Sequence, residues 1–505
     1  TSSLSGTITL GATSEIGVWG TDLTLSGVIS GTNFGITKTG TGNLILSGSN
    51  SYTGVTTISA GTLSVGTLAN GGSNSNIGAS TNVAGNLVIN GGTLKYTGGV
   101  VTTDRLFTVG ANGATIDSSG TGALTFGNAG SLATTATSSP ALTLTGSANG
   151  TLTPVFANPA TSGASSLTKS GAGTWTVSGA NTYTGGTTIG AGTFKVNNAT
   201  ALGGNAGAVS LTNGAVLDLN GITMTGTNAL TLNGTGISSG GALTNGSATA
   251  ATYAGAITLG TTAASIGGSS GAITLSGIIS GSTGITKIGS GTLTLSGTNT
   301  YTGGTAISGG TLIAANNSAL GATSSGISIA SGTVLDLLNI ALGSNPITLA
   351  GGTLKDATSS AAGNIILTAN STLSTTIASD VFELSGVISE SSGSYGLTIT
   401  GAGTIVLSGA NTYTGGTRIS SGVLSVSTGG TSGSNLSSGA VTIGGGSLVA
   451  NTTGNTISNA ITLATGSNKI AAATGTSVTF SGIISGAGTG ALLVGESTND
   501  GIVVF

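Results

Sequence analysis

Gly291-Thr-Leu-Thr-Leu-Ser-Gly-Thr-Asn-Thr-Tyr-Thr-Gly-Gly-Thr305, closed by Gly310-Thr-Leu312, decides the fold. Leucine alternates with threonine along its first strand, the period-2 pattern of a strand with one buried face. Glycine follows where the chain must turn, because it takes φ > 0 without a steric penalty. The stretch recurs four times. The first copy runs from Ile36 to Val65 and carries Lys38, Asn50, Tyr52 and Gly54. The second spans Lys169 to Val196, the third Lys287 to Ile313, and the fourth Ile399 to Val426. The shared tyrosines, Tyr52, Tyr183, Tyr301 and Tyr413, lie 131, 118 and 112 residues apart.

Two further marks keep step with these copies. Leu25-Ser-Gly-Val-Ile-Ser-Gly31, Leu275-Ser-Gly-Ile-Ile-Ser-Gly281, Leu384-Ser-Gly-Val-Ile-Ser-Glu390 and Phe480-Ser-Gly-Ile-Ile-Ser-Gly486 form an entry mark. A closing mark sits at Gly91-Gly-Thr-Leu94, Gly214-Ala-Val-Leu217, Gly332-Thr-Val-Leu335 and Gly446-Ser-Leu448. The repeat units are accordingly 25–141, 142–274, 275–383 and 384–479, with a partial unit at 480–505. The second unit lacks the entry mark and carries Pro154 and Pro159 there, which predicts a loop or bulge.

Composition narrows the class. Glycine supplies 95 of 505 residues, charged residues are only 4%, and there are four prolines. Net charge of −3 with a mean hydropathy of +0.42 argues against disorder, and so few prolines exclude collagen. Regular short strands suit a sandwich, a barrel or a solenoid on local evidence. Length, unbroken texture and ordered repeats select the solenoid. The expected fold is therefore all-β: one continuous parallel β-helix over 1–505, a single elongated rod. Each coil pairs its backbone with the next, and inward Leu, Ile and Val stack on like residues. At roughly 20–25 residues per coil and ~4.8 Å between coils, the rod is on the order of 100–120 Å long.

The third copy and its relatives resemble the autotransporter-associated β-strand repeat, found in autotransporter passengers and other large bacterial surface proteins. The resemblance covers four stretches of about 28 residues. It implies a right-handed parallel β-helix outside the cell and says little about activity. Ile399 stands where the other copies have Lys38, Lys169 and Lys287, so that cation is not essential to the motif.

Without histidine or cysteine the chain has no Ser-His relay, thiolate nucleophile, disulfide or His/Cys-ligated metal. Nine basic residues are too few for a nucleic-acid footprint, and no apolar run is long enough to span a membrane. No signal peptide opens the chain, so Thr1 reads as a mature or trimmed end. The twelve acids are scattered: Glu15, Asp22, Asp104, Asp117, Asp218, Asp336, Asp356, Asp380, Glu383, Glu390, Glu496 and Asp500. Asp380 with Glu383 is the only close pair inside a coil, and it reads as a solvated loop rather than a glycosidase-type carboxylate pair. Asp218 and Asp336 recur at equivalent positions, where the fourth unit has Val449, and read as scaffold. Asn50, Asn181, Asn299 and Asn411 read as turn residues bonding their own backbone, with the tyrosines packed at coil corners. Trp19 and Trp175 read as buried or edge-packed rather than as sugar platforms.

No catalytic, cofactor-binding or metal-binding residue is assigned, and no cofactor is expected. The expected function is non-enzymatic and extracellular: a structural subunit of a surface fibre, assembled head to tail through end coils that look uncapped. The alternative is a passenger segment of a longer autotransporter-type adhesin. A polysaccharide-degrading β-helix enzyme is a distant third. The expected partners are the protein itself and cell-surface glycans or other surface proteins, with no nucleic acid and no membrane span in this chain.

Overall fold

The computed structural model describes residues 2–135, 138–268, 271–426, 435–436, 438–486, 491–495, 499 and 501–505. The all-β expectation holds. Short strands of two to six residues succeed one another, and among the described residues helix is limited to single 3-10 turns at Ala84–Asn86 and Ile237–Ser239. The chain divides into two compact units, Thr1–Thr258 and Leu259–Phe505. Each is a stack of coils whose strands form parallel ladders along the coil axis.

In the first unit, one ladder joins Asn43–Leu46, Thr62–Val65, Thr93–Tyr96, Ala114–Ser118, Ala141–Thr145, Ser166–Lys169, Thr187–Ile189 and Val209–Leu211. A single inward column runs along it as Leu44, Leu63, Leu94, Ile116, Leu144, Lys169, Ile189 and Leu211. Every member is fully or almost fully buried, and each aliphatic side chain contributes about 1.5–3 kcal/mol on leaving water. One residue along the same strands, Thr93, Thr115, Thr143, Thr168, Thr188, Ser210 and Thr231 form an outward hydroxyl column. Period-2 patterning on stacked coils thus explains the Ser/Thr content: one hydroxyl per strand faces out, where cross-strand hydroxyl pairs are favourable.

The second unit repeats the plan. Its longest ladder includes Thr292–Leu295, Thr311–Ala314, Val334–Asp336, Thr353–Lys355, Ser371–Ser374, Leu397–Thr400 and Thr417–Ile419. Coil length varies, with 19 residues from Leu44 to Leu63 but 31 from Leu63 to Leu94. The extra residues leave as loops while the ladder register is kept. As expected, regular pairing stops at Pro154: the strand Gly150–Leu152 ends before it, and Val155 makes only an isolated bridge to Ser131.

The few charges obey the ladder. Lys95 pairs with Asp117 (3.9 Å), Lys195 with Asp218 (3.9 Å) and Lys355 with Asp336 (2.8 Å), and each pair occupies one register position on adjacent coils. Such partly exposed pairs are worth about 0–1 kcal/mol each. Their main effect is to avoid stacking like charges at one strand spacing.

Candidate functional site: a polar cluster in every repeat

The first three repeats each place three polar side chains on their coils and the fourth places two, and the geometry of each is reproduced from copy to copy. The lysine comes first. Lys38, Lys169 and Lys287 lie in inward columns between aliphatic neighbours and are at most 1% exposed. Their ammonium groups reach the coil end and donate to three backbone carbonyls. Lys169 Nζ bonds the oxygens of Ser170 (2.8 Å), Gly171 (2.8 Å) and Ala191 (2.9 Å). Lys287 bonds Ile288, Gly289 and Gly309, each at 2.8 Å. Lys38 bonds Thr39, Gly40 and Ala60. The third acceptor belongs to the following coil, so one cation ties two coils. The fourth copy does without it: Ile399 continues the apolar column, and the amide of Gly401 donates instead to Ser421 Oγ (3.0 Å).

Asparagine comes second, and here the expectation is corrected. The amide does not bond its own turn; it clamps the coils on either side. Asn299 Oδ1 accepts from Ile279 N of the preceding coil (2.8 Å), and its Nδ2 donates to Ala319 O of the following coil (2.6 Å). Asn50 does the same between Ile29 and Asn76, Asn181 between Phe156 and Ala201, and Asn411 between Ile388 and Asn435. Ile29, Ile279 and Ile388 are the last apolar residues of the entry mark. The two marks travel together because one hydrogen-bonds the other. In the second repeat unit, 142–274, Phe156 takes that place, so the clamp survives the prolines.

Tyrosine comes third and behaves as expected. Tyr52, Tyr183, Tyr301 and Tyr413 are 0% exposed, and each hydroxyl bonds the threonine four residues on, Thr56, Thr187, Thr305 and Thr417, at 2.6–2.7 Å. Two residues after each tyrosine a glycine meets the preceding coil. A Cβ on Gly303 would stand 2.2 Å from Gly284 N, and one on Gly415 the same distance from the carbonyl carbon of Tyr395. Only glycine permits that approach.

Burial lowers Lys169 and Lys287 to about 8, and lowers Lys38 as well, from an ordinary value of 10.5. Between pH 8 and 10.5 the unfolded chain therefore holds more protons on these amines than the folded one, and stability rises with pH. The buried tyrosines act oppositely, since burial raises Tyr52, Tyr183 and Tyr301 above their usual 10 and makes their ionisation favour unfolding. The unfolding midpoint should climb from pH 8 to about 9.5 and then turn down. In Lys169→Met/Lys287→Met the climb should flatten; an unchanged climb would mean that these amines titrate normally.

The other expected positions scatter. Asp380 is not a solvated loop carboxylate: it is 3% exposed, and its Oδ2 accepts from the amides of Thr376 (2.8 Å) and Ile377 (2.7 Å). Glu383 points outward from Val381–Leu384, so the pair does not converge. Glu496 and Asp500 lie outside the described residues. Trp175 is buried and donates from Nε1 to Thr145 O (2.9 Å), whereas Trp19 is 76% exposed and departs from the packed role expected of it.

Two residues passed over in the sequence do structural work of the same kind. Arg105, 1% exposed, donates to Ala69 O (2.9 Å), Ser80 O (3.0 Å) and Gly78 O (2.9 Å), holding the long excursion between Gly66 and Asn82. Asp356, fully buried, accepts from the amides of Ala357 (2.7 Å) and Asn339 (3.3 Å) and from Ser359 Oγ. Burial pushes its carboxyl up. The Asn/Gly/Ser-rich loop before Arg105 is the one signal that a buried donor was needed.

A family model described as the passenger-associated-transport repeat matches residues 36–65, 167–196, 285–314 and 397–426. The chain carries four passenger-associated-transport repeats. The matched segments are the ones that hold the asparagine and tyrosine of every copy and, in the first three, the lysine. Over 220 residues, 42% of this chain, it is 34% identical to the protein named adhesin BmaC autotransporter of Brucella suis biovar 1 (strain 1330). The chain spans only 6% of that relative's length. No solved structure matches. In physical terms a passenger-associated-transport repeat is a device for joining coils: its cation, its amide and its phenol are all bonded to neighbouring backbone or to its own threonine.

Proposed function

We propose that the chain is a non-enzymatic segment of an adhesive autotransporter passenger, exposed at the bacterial surface. One observation carries the reading: the polar side chains that recur from repeat to repeat are engaged with the backbone of their own and adjacent coils or with a threonine of the same repeat, so repetition serves a scaffold rather than a reaction centre. The relative named as an adhesin supports it. The reading is preferred over a fibre subunit built by head-to-tail stacking, because the repeats and the relative speak to a passenger and neither speaks to assembly. Exposed Ile502 and Phe505 are what any last-placed strand presents and add nothing to the case.

Two measurements test it. Beads coated with the purified chain should attach to host epithelial layers more than uncoated beads do. Incubation with neutral and acidic polysaccharides should leave their chain lengths unchanged, and cleavage of any of them would reverse the assignment.

A further inference from the structure

Seven of the nine cations of this chain are tied down as follows, and Lys469 has a partner as well. Three lysines are caged by carbonyls, three pair with aspartates on adjacent coils, and Arg105 holds a loop. Arg418 differs. It occupies the outward position of Thr417–Ile419, exposed to solvent. Its Nε donates to Ser420 Oγ (3.2 Å), and it belongs to none of the ion pairs among the described residues. Unpaired cations of this kind are what a scaffold with so few charges has no structural reason to keep.

The surroundings of Arg418 are those of a binding groove. A cavity of about 390 Å³ opens beside it, lined also by Asn370, Ser394, Thr398, Thr414 and Thr442. Thr398 and Thr442 are its ladder neighbours on the two adjacent coils. The carboxylate on this side, Glu390, lies at the groove edge with its oxygens already satisfied: Oε2 accepts from Tyr395 N (2.8 Å) and Oε1 from the hydroxyl of the lining residue Thr414 (2.6 Å). Tyr395, between the lining residues Ser394 and Gly396, is partly exposed with its ring against Gly393. The third repeat has a groove of similar size, about 430 Å³, at the corresponding place. There Ala306 replaces Arg418, and Ile285, Ile327 and Pro346 make the walls more apolar. The shape and much of the hydroxyl lining come from the repeat, since Thr286, Ser328 and Thr348 line the third-copy groove; the charge belongs to the fourth copy.

We propose that the Arg418 groove binds an acidic sugar residue. The guanidinium fork takes the carboxylate or sulfate in a bidentate contact. The hydroxyls of Thr398, Ser394 and Thr442 and the amide of Asn370 meet the sugar hydroxyls, and the Tyr395 ring offers a face at the groove edge. This rests on the adhesive reading and names a class of target for it.

Calorimetric titration of the whole chain with three oligosaccharides tests the assignment. A hyaluronan oligosaccharide carries carboxylate alone, a carrageenan oligosaccharide sulfate alone, and maltotetraose neither. One or both acidic probes should bind and maltotetraose should not, which also tells carboxylate from sulfate. Arg418→Ala should weaken binding about tenfold or more, as expected for losing a charge-assisted contact, and Arg418→Lys should restore part of it. Both variants lie on an exposed position, and an unchanged circular dichroism melt confirms that the fold is intact. The proposal falls if neither acidic probe binds at millimolar concentration, if maltotetraose binds equally well, or if Arg418→Ala binds as the parent does. Epithelial attachment measured in parallel separates the two ideas. A chain that attaches to cells but ignores both acidic probes loses the groove and keeps the adhesive reading; one that attaches to nothing loses that reading.

Discussion

Asn299→Ala should destabilise the second unit by about 2–5 kcal/mol, among the largest effects of any single polar replacement in the chain. The reason lies in what remains. Ile279 N–H and Ala319 C=O keep their buried positions on neighbouring coils and lose their common partner. Each stranded group costs about 1–3 kcal/mol, and the small cavity adds to it. Urea denaturation followed by circular dichroism gives the magnitude, and hydrogen exchange at Ile279 gives the location. Asn299→Asp then separates hydrogen bonding from packing. A protonated carboxyl can still accept from Ile279 N–H and donate to Ala319 O, whereas the carboxylate cannot donate and is buried. Burial raises the folded-state pKa above about 3.9, the unfolded value. Relative to the parent, the aspartate variant should be most stable below that unfolded value and lose stability as pH rises through its folded pKa. A pH-independent difference between the two proteins would mean that the clamp is not what Asn299 provides.

The asparagine clamp also marks where sequence reading stops. Alternation along Leu293-Thr-Leu295, glycine at the turns and the recurring marks were sufficient for a parallel β-solenoid, because each is a local consequence of strand geometry. The association of the entry mark with the motif was visible too. Its cause was not, since Asn299 and Ile279 are 20 residues apart, Asn50 and Asn76 are 26 apart, and coil lengths vary between them. Nothing in a linear pattern says which residue lies above which. The buried lysine was closer to hand. Ile36 and Lys38, or Ile285 and Lys287, share strand parity, so the lysine had to enter the core column. Asp380 shows the same limit from the other side: a carboxylate in a turn can face water or its own amides, and only the coil's path decides between them.

Trp175→Leu and Gly150→Val should each be strongly destabilising alone and should largely compensate when combined. The two residues are ladder partners in an inward column that runs Leu124, Gly150, Trp175, Phe194 and Leu217. Trp175 is fully buried, and a Cβ at Gly150 would stand 2.6 Å from three atoms of its ring. The indole is therefore accommodated by the absence of a side chain on the coil before it. Gly150 begins the strand Gly150–Leu152 and is not among the residues with positive φ, so valine there meets the ring first and no backbone strain. Gly150→Val should cost about 1–3 kcal/mol by overpacking. Trp175→Leu should cost about 3 kcal/mol through the cavity and the lost bond to Thr145 O. With both changes, the valine occupies part of the space that the indole vacates. A coupling of about 1–2 kcal/mol in favour of the double variant is expected from urea denaturation of all four proteins. Fluorescence identifies the residue involved, because both Trp175→Leu proteins retain only the exposed Trp19 and should lose the blue-shifted component of the emission. Additive losses would show that glycine at 150 answers to something other than the ring above it.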